Sequence, residues 1–114
     1  MYPESEYSFE LVKNILLDTF PVDISLKKHR ENDAILALNS EYALVFMNEL
    51  AAEFLERCTG KKNLSTIISE LYSIYDVEEY ILADDIVKLV RELQLKRIIR
   101  IELQDECNQK KDQS

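Results

Sequence analysis

Residues 34–60 read AILALNSEYALVFMNELAAEFLERCTG, and a change of period inside them decides the fold. Ala34-Ile35-Leu36-Ala37-Leu38 is a short apolar run. Asn39-Ser40-Glu41 is a turn cluster. Tyr42-Ala43-Leu44-Val45-Phe46-Met47 is a second run, rich in aromatic and β-branched residues, and predicts a strand. From Asn48 the period becomes helical. Asn48 is a good N-cap, and Glu49 places negative charge on the first turn, where the helix dipole favours it. Ala51, Phe54, Leu55 and Cys58 then follow the i, i+3, i+4, i+7 spacing of one buried face. Gly60, the only glycine, stands where a C-cap turns left-handed. Cys58 on that face reads as core: a thiol at a helix C-terminus lacks the positive field that makes a thiolate.

Upstream, Asp23-Ile24-Ser25-Leu26-Lys27 alternates apolar and polar, as a half-buried strand does, and His29-Arg30-Glu31-Asn32-Asp33 reads as a turn. Three short strands joined by turns predict a small antiparallel meander. Before it, residues 8–19 predict an amphipathic helix capped by Ser8 and stopped by Pro21, with Phe9, Val12, Leu16 and Phe20 on one stripe. That helix either packs on its own domain or docks a partner. Downstream, a helix from Asn63 carries Leu64, Ile67, Ile68, Leu71 and Tyr75 as its stripe. Another begins at Asp76-Val77-Glu78-Glu79, read as a capping box with Asp76 in the cap. Its principal stripe is Leu82, Ile86, Leu89 and Leu93. Ala83, Val87 and Val90 form a second strip beside it, bordered by Arg91 and Gln94. This second strip either contacts other elements or floors an open groove. Residues 97–103 alternate again and predict a short terminal strand, and a polar tail containing Cys107 follows.

Composition bounds the function. The chain has 114 residues, one domain's worth, with 46% hydrophobic residues, one Gly and two Pro. So little glycine argues against a Gly-rich phosphate loop. The net charge of -8 repels a phosphate backbone unless the bases gather on one face. Two cysteines and one histidine supply no four-ligand zinc site. No apolar run approaches the ~18 residues of a membrane span, and the N-terminus has no basic targeting region. A cytoplasmic protein with reduced thiols, no cofactor and no membrane partner is expected. His29 has no evident Ser or Cys partner. The acid pairs Glu78/Glu79 and Asp84/Asp85 diverge by about 100° on a helix, so no general acid/base pair is expected and no catalytic residue is assigned.

Three strands followed by three helices is a winged-helix-like α+β arrangement. Within it, Met47 to Gly60 resembles the "LN-x-x-A" segment of the PqqD family with its following glycine. Residues 63–71, NLSTIISEL, resemble that family's "T-V-x-x-I-x-x-x-L" helix. Tyr75, Asp85 and Leu93 stand where the family has its closing "Y", "D-V" and "L". The resemblance covers roughly residues 23–100. It implies a peptide-recognition domain over 21–103, after an N-terminal helical extension over 1–20 and before a polar tail over 104–114.

The resemblance further implies a non-catalytic peptide chaperone of natural product biosynthesis. Such domains bind the leader of a ribosomally made precursor peptide and present it to a modifying enzyme, often a radical SAM protein. In the family the leader adds a strand to the third strand and lies on the third helix. Carried over, this gives a peptide site of Ala43, Leu44, Val45 and Phe46 with Ala83, Val87, Val90 and Arg91. An edge strand offers unpaired N–H and C=O groups to an extended peptide. Lys88 and Arg91 would attract acidic leader residues. The turn Asn39-Ser40-Glu41 replaces the "P-E-G"-like turn of quinone-cofactor members, so the expectation is the broader class of peptide modification. An exposed third strand also admits a second copy of the chain as partner. The alternatives are a subunit-docking protein and a DNA-binding winged helix. The latter needs a basic recognition helix, whereas the helix from Leu64 exposes Ser65, Ser69, Glu70 and Ser73.

Overall fold

The computed structural model describes residues 6–103. In chain order the elements are α1 (Glu6–Leu16), β1 (Phe20–Asp23), β2 (Lys27–Glu31), β3 (Ala34–Leu38), β4 (Leu44–Met47), α2 (Glu49–Glu56), α3 (Leu64–Tyr72), α4 (Glu79–Leu95) and β5 (Ile99–Glu102). The fold is α+β, as the strand-then-helix order predicts. Its main sheet has three antiparallel strands in the order β2-β3-β4.

Two of the predicted caps are in place. The Asn48 side chain accepts a hydrogen bond from the Ala51 N–H, and Asn63 does the same for Thr66. Each such cap contributes on the order of 1 kcal/mol. The third differs: the cap position of α4 is Glu78, without a side-chain cap bond, rather than Asp76. α1 begins before Ser8, so Ser8 is not its cap, and it ends at Leu16 rather than at Pro21. There the buried Thr19 hydroxyl and N–H both donate to the Leu16 carbonyl. Pro21 lies inside β1, and its carbonyl accepts from the Gly60 N–H. Gly60 has φ +82°, a conformation that favours glycine, and a Cβ there would sit a tight 3.1 Å from Val22 Cγ2. It stands beyond the end of α2, which closes at Arg57.

The strands upstream of β3 are placed differently from the alternation. Residues 23–27 straddle the end of β1 and the start of β2, and the predicted turn at His29–Glu31 is strand. The reversal is confined to Asn32 and Asp33, with Asn32 at φ 55°. β2, Lys27–Glu31, is exposed along its whole length, so no apolar alternation marks it. It is held to β3 by backbone pairing from Lys27↔Leu38 to Glu31↔Ala34. The terminal strand is present as β5. It pairs with β1 in a separate two-stranded sheet, from Phe20↔Glu102 to Asp23↔Ile99. Residues 104–114, with Cys107, lie outside the described residues.

Helices and inner sheet face share one core. Phe54, Leu55, Leu64, Ile67, Leu71, Ile86, Leu93 and Ile98 are nearly inaccessible; each contributes roughly 1.5–3 kcal/mol through burial. Cys58 belongs to this core, its thiol near the Phe54 carbonyl, and burial pushes its pKa far up. On α4 the buried residues are Leu82, Ala83, Ile86, Val87, Val90 and Leu93, while Leu89 is only half-buried. The second strip is therefore part of the core. The helix needs a wide apolar surface because α1, α3 and β5 all pack on it.

Candidate functional site: the β4 edge

β4 is an edge of the main sheet; its strand partner among the described residues is β3. Its side chains alternate. Val45 and Met47 point into the core, whereas Leu44 and Phe46 are 66% and 68% exposed. The backbone alternates too, and the register says how. Asn39 and Ala43 extend the β3–β4 register, and the Asn39 N–H donates to the Ala43 carbonyl. Hydrogen-bonded pairs recur every second residue in an antiparallel ladder. Ala37↔Val45 and Ile35↔Met47 are thus the bonded pairs, and Leu38↔Leu44 and Leu36↔Phe46 are not. Val45 and Met47 direct their polar groups to β3. Leu44 and Phe46 direct theirs to the free edge.

The start of β4 is anchored by the segment that follows α4. At the start of β4, the buried Asn39 accepts from the N–H groups of Glu41 and Ala43 and donates to the Lys96 carbonyl at 2.8 Å. Arg97 reaches Glu41 at 3.3 Å beside it. At the far end, Tyr75 lies just before α4. Burial and then the Glu49 carboxylate, the second residue after β4, push its phenol pKa up. Asn39 therefore ties the C-terminal end of α4 to the start of β4.

The residues expected in the site divide into two groups. Ala43, Leu44 and Phe46 are exposed and contiguous on the edge, with Val45 beneath them. On α4, Ala83 is 8% exposed, and Val87 and Val90 are fully buried, so as the chain stands these three present no groove floor. Lys88 and Arg91 are exposed. Arg91 faces α1, where it lines a cavity of about 380 Å³ with Val12, Ile15 and Leu95. At 100° per residue, Ile81, Asp85 and Leu89 occupy the flank of α4 away from that contact. Leu36, which pairs across from Phe46 and is 40% exposed, extends the apolar outer face. The unbroken apolar run of residues 34–38 carries no alternation that marks Leu36 as outward.

The family model for coenzyme PQQ synthesis protein D (PqqD) matches residues 29–99. The chain belongs to the PqqD family. This agrees with the resemblance carried by Met47 to Gly60 and the two helices after it. The PqqD match covers the main sheet and α2 to α4 and leaves out α1 and most of the β1–β5 sheet. Among solved structures, the chain is similar to one described as TbiB1 in complex with the TbiA(beta) leader peptide. The TM-score is 0.62 at 15% identity, covering 69% of this chain and 95% of that one. That likeness shows a shared fold. No curated protein matches the chain.

Proposed function

We propose that this PqqD-family chain is a recognition element for a ribosomally synthesised, post-translationally modified peptide. It binds the leader as an added strand on β4 and presents the rest of the precursor to a modifying enzyme. The observation that carries this reading is the β4 edge. It is uncharged, apolar, and directs the N–H and C=O groups of Leu44 and Phe46 outward in register. An extended peptide satisfies those groups with little demand on its own sequence, and its alternate side chains supply specificity. The likeness to TbiB1, a protein whose structure holds a leader peptide, supports it.

The recognition unit runs over residues 21–103, with α1 attached to it. The chain itself performs no chemistry in this reading. His29 is exposed and pairs with Glu31 two residues on, and the Cys58 thiol is buried and held protonated. The modifying enzyme supplies the reaction, a radical SAM protein being the class the family suggests. No helix among the described residues is long and apolar enough to cross a membrane, and we place the protein in the cytoplasm.

Titration of labelled leader and core halves of a ribosomally made precursor peptide tests the reading. The leader should bind with a dissociation constant near 1 μM, about -8 kcal/mol, and the core much more weakly. Equal affinity for both halves, or product formed without the modifying enzyme, overturns it.

A further inference from the structure

α1 lies outside the matched family region and changes the surface of α4. Lys13 of α1 takes the Asp84 carboxylate at 2.9 Å. Lys88, four residues after Asp84, is the partner Asp84 would ordinarily hold on one helix. It has no acidic partner among the described residues, and neither has Arg91 one turn further. Lys28, Arg30, Arg57, Lys62 and Lys96 are all held by carboxylates. Lys27 and Lys61 are also unpaired, but each stands alone.

Beside these two cations runs the apolar groove between α1 and α4. Val12, Ile15 and Leu16 form one wall, and Arg91, Gln94 and Leu95 the other. Its rim is apolar and exposed: Leu11 is 52%, Ile15 61% and Leu95 82% accessible. Leu11 and Ile15 are spaced i, i+4 on α1, so they form a ridge against which another helix packs.

We propose that the α1–α4 groove is a second docking site, separate from the β4 edge. Its occupant is an acidic amphipathic helix of a partner protein. The charge decides the occupant. A helix with leucine-like residues on one face would fill the cavity, and flanking Asp or Glu would meet Arg91 and Lys88.

The test uses the isotope-labelled full chain and two short synthetic amphipathic helices. Both carry leucines at i, i+4 spacing; one has glutamates on its flanks and its twin has lysines. The glutamate helix should shift the amide resonances of residues 11–16 and 88–95 and leave those of β4 unmoved. It should bind roughly fivefold more tightly than its twin at low salt, as expected for exposed charge pairs. Arg91→Glu should reverse that preference. Leu95→Asp, at a position already in water, should weaken both helices without altering the fold. The proposal is overturned if neither helix shifts these resonances, if Arg91→Glu leaves the preference unchanged, or if the shifts fall on β4. It is also overturned if the groove resonances move with protein concentration alone, which assigns the groove to a second copy. The same holds if they move when the chain is ended at residue 103, which assigns it to the polar tail. Leader binding at β4 is read separately, so failure of this site leaves that reading standing.

Discussion

The two edges of the main sheet are opposites. β2 reads KKHRE, and β4 reads LVFM. Both present a row of backbone groups to solvent, yet only one invites a partner. On β2, Lys28 is tied to Asp23, and Arg30 to Glu53 and Glu56 of α2. On the outer face Lys27 and His29 stand beside Leu38 and Leu36. An incoming strand would have to desolvate this charge, which is how native sheets protect an edge. β4 carries no charge, and its exposed side chains are Leu44 and Phe46. An unguarded apolar edge suits a strand-forming ligand. The contrast thus supports the proposed site more strongly than the apolar content of either strand does.

The largest test of this contrast sets two adjacent substitutions against each other. Val45→Pro removes a ladder bond to β3 and should cost about 3 kcal/mol or more of stability in urea unfolding. Phe46→Pro removes an N–H that faces the free edge, a position where proline is tolerated. It should leave circular dichroism intact and weaken leader binding about a hundredfold. Phe46→Ala keeps the N–H and separates the ring from the backbone; a loss of about tenfold is expected, in the range of an interface anchor. If Phe46→Pro binds leader normally, the backbone register at the edge is not what captures the peptide.

Next in size, Leu44→Lys with Phe46→Lys gives β4 the chemistry of β2. Leader affinity should fall by ten- to a hundredfold, about 1.4–2.8 kcal/mol, while thermal stability changes little because both side chains are already in water. The converse exchange, Lys27→Thr with His29→Val, should expose a second apolar edge. Light scattering should then show concentration-dependent association, a moderate effect that the leader does not relieve. Smallest is Arg30→Ala. It removes exposed ion pairs to Glu53 and Glu56 and should cost about 0.5–1 kcal/mol in thermal unfolding, with leader affinity unchanged. A large loss of leader affinity there would place part of the site on β2.

Val87 shows why the helical half of the expected site could not be read in advance. Periodicity marks Ala83, Val87 and Val90 as an apolar strip, and an apolar strip suits a groove floor and a core equally well. The structure buries all three. Val87→Asp is therefore a test of stability, with a buried charge expected to cost several kcal/mol, and not a test of peptide binding. Conversely, β2 escaped detection because nothing in KKHRE alternates. Its strand conformation comes from backbone pairing with β3, which leaves no trace in side-chain pattern.

Neighbouring residues alone determined the caps at Asn48 and Asn63, the switch from strand to helix after Met47, the burial of Cys58, and the ordered segments that mark the family. Each of these rests on hydrogen bonds or face periodicity within a few residues, so each is written locally. The tertiary structure decided the rest. It determined that β5 closes on β1 and leaves the β4 edge open. It set the register that directs the polar groups of Leu44 and Phe46 outward, and it brought α1 onto α4 to cover one strip while leaving Lys88 and Arg91 without acidic partners among the described residues. Exposure and charge pairing are properties of elements that meet across the core, and no local pattern records which elements will meet.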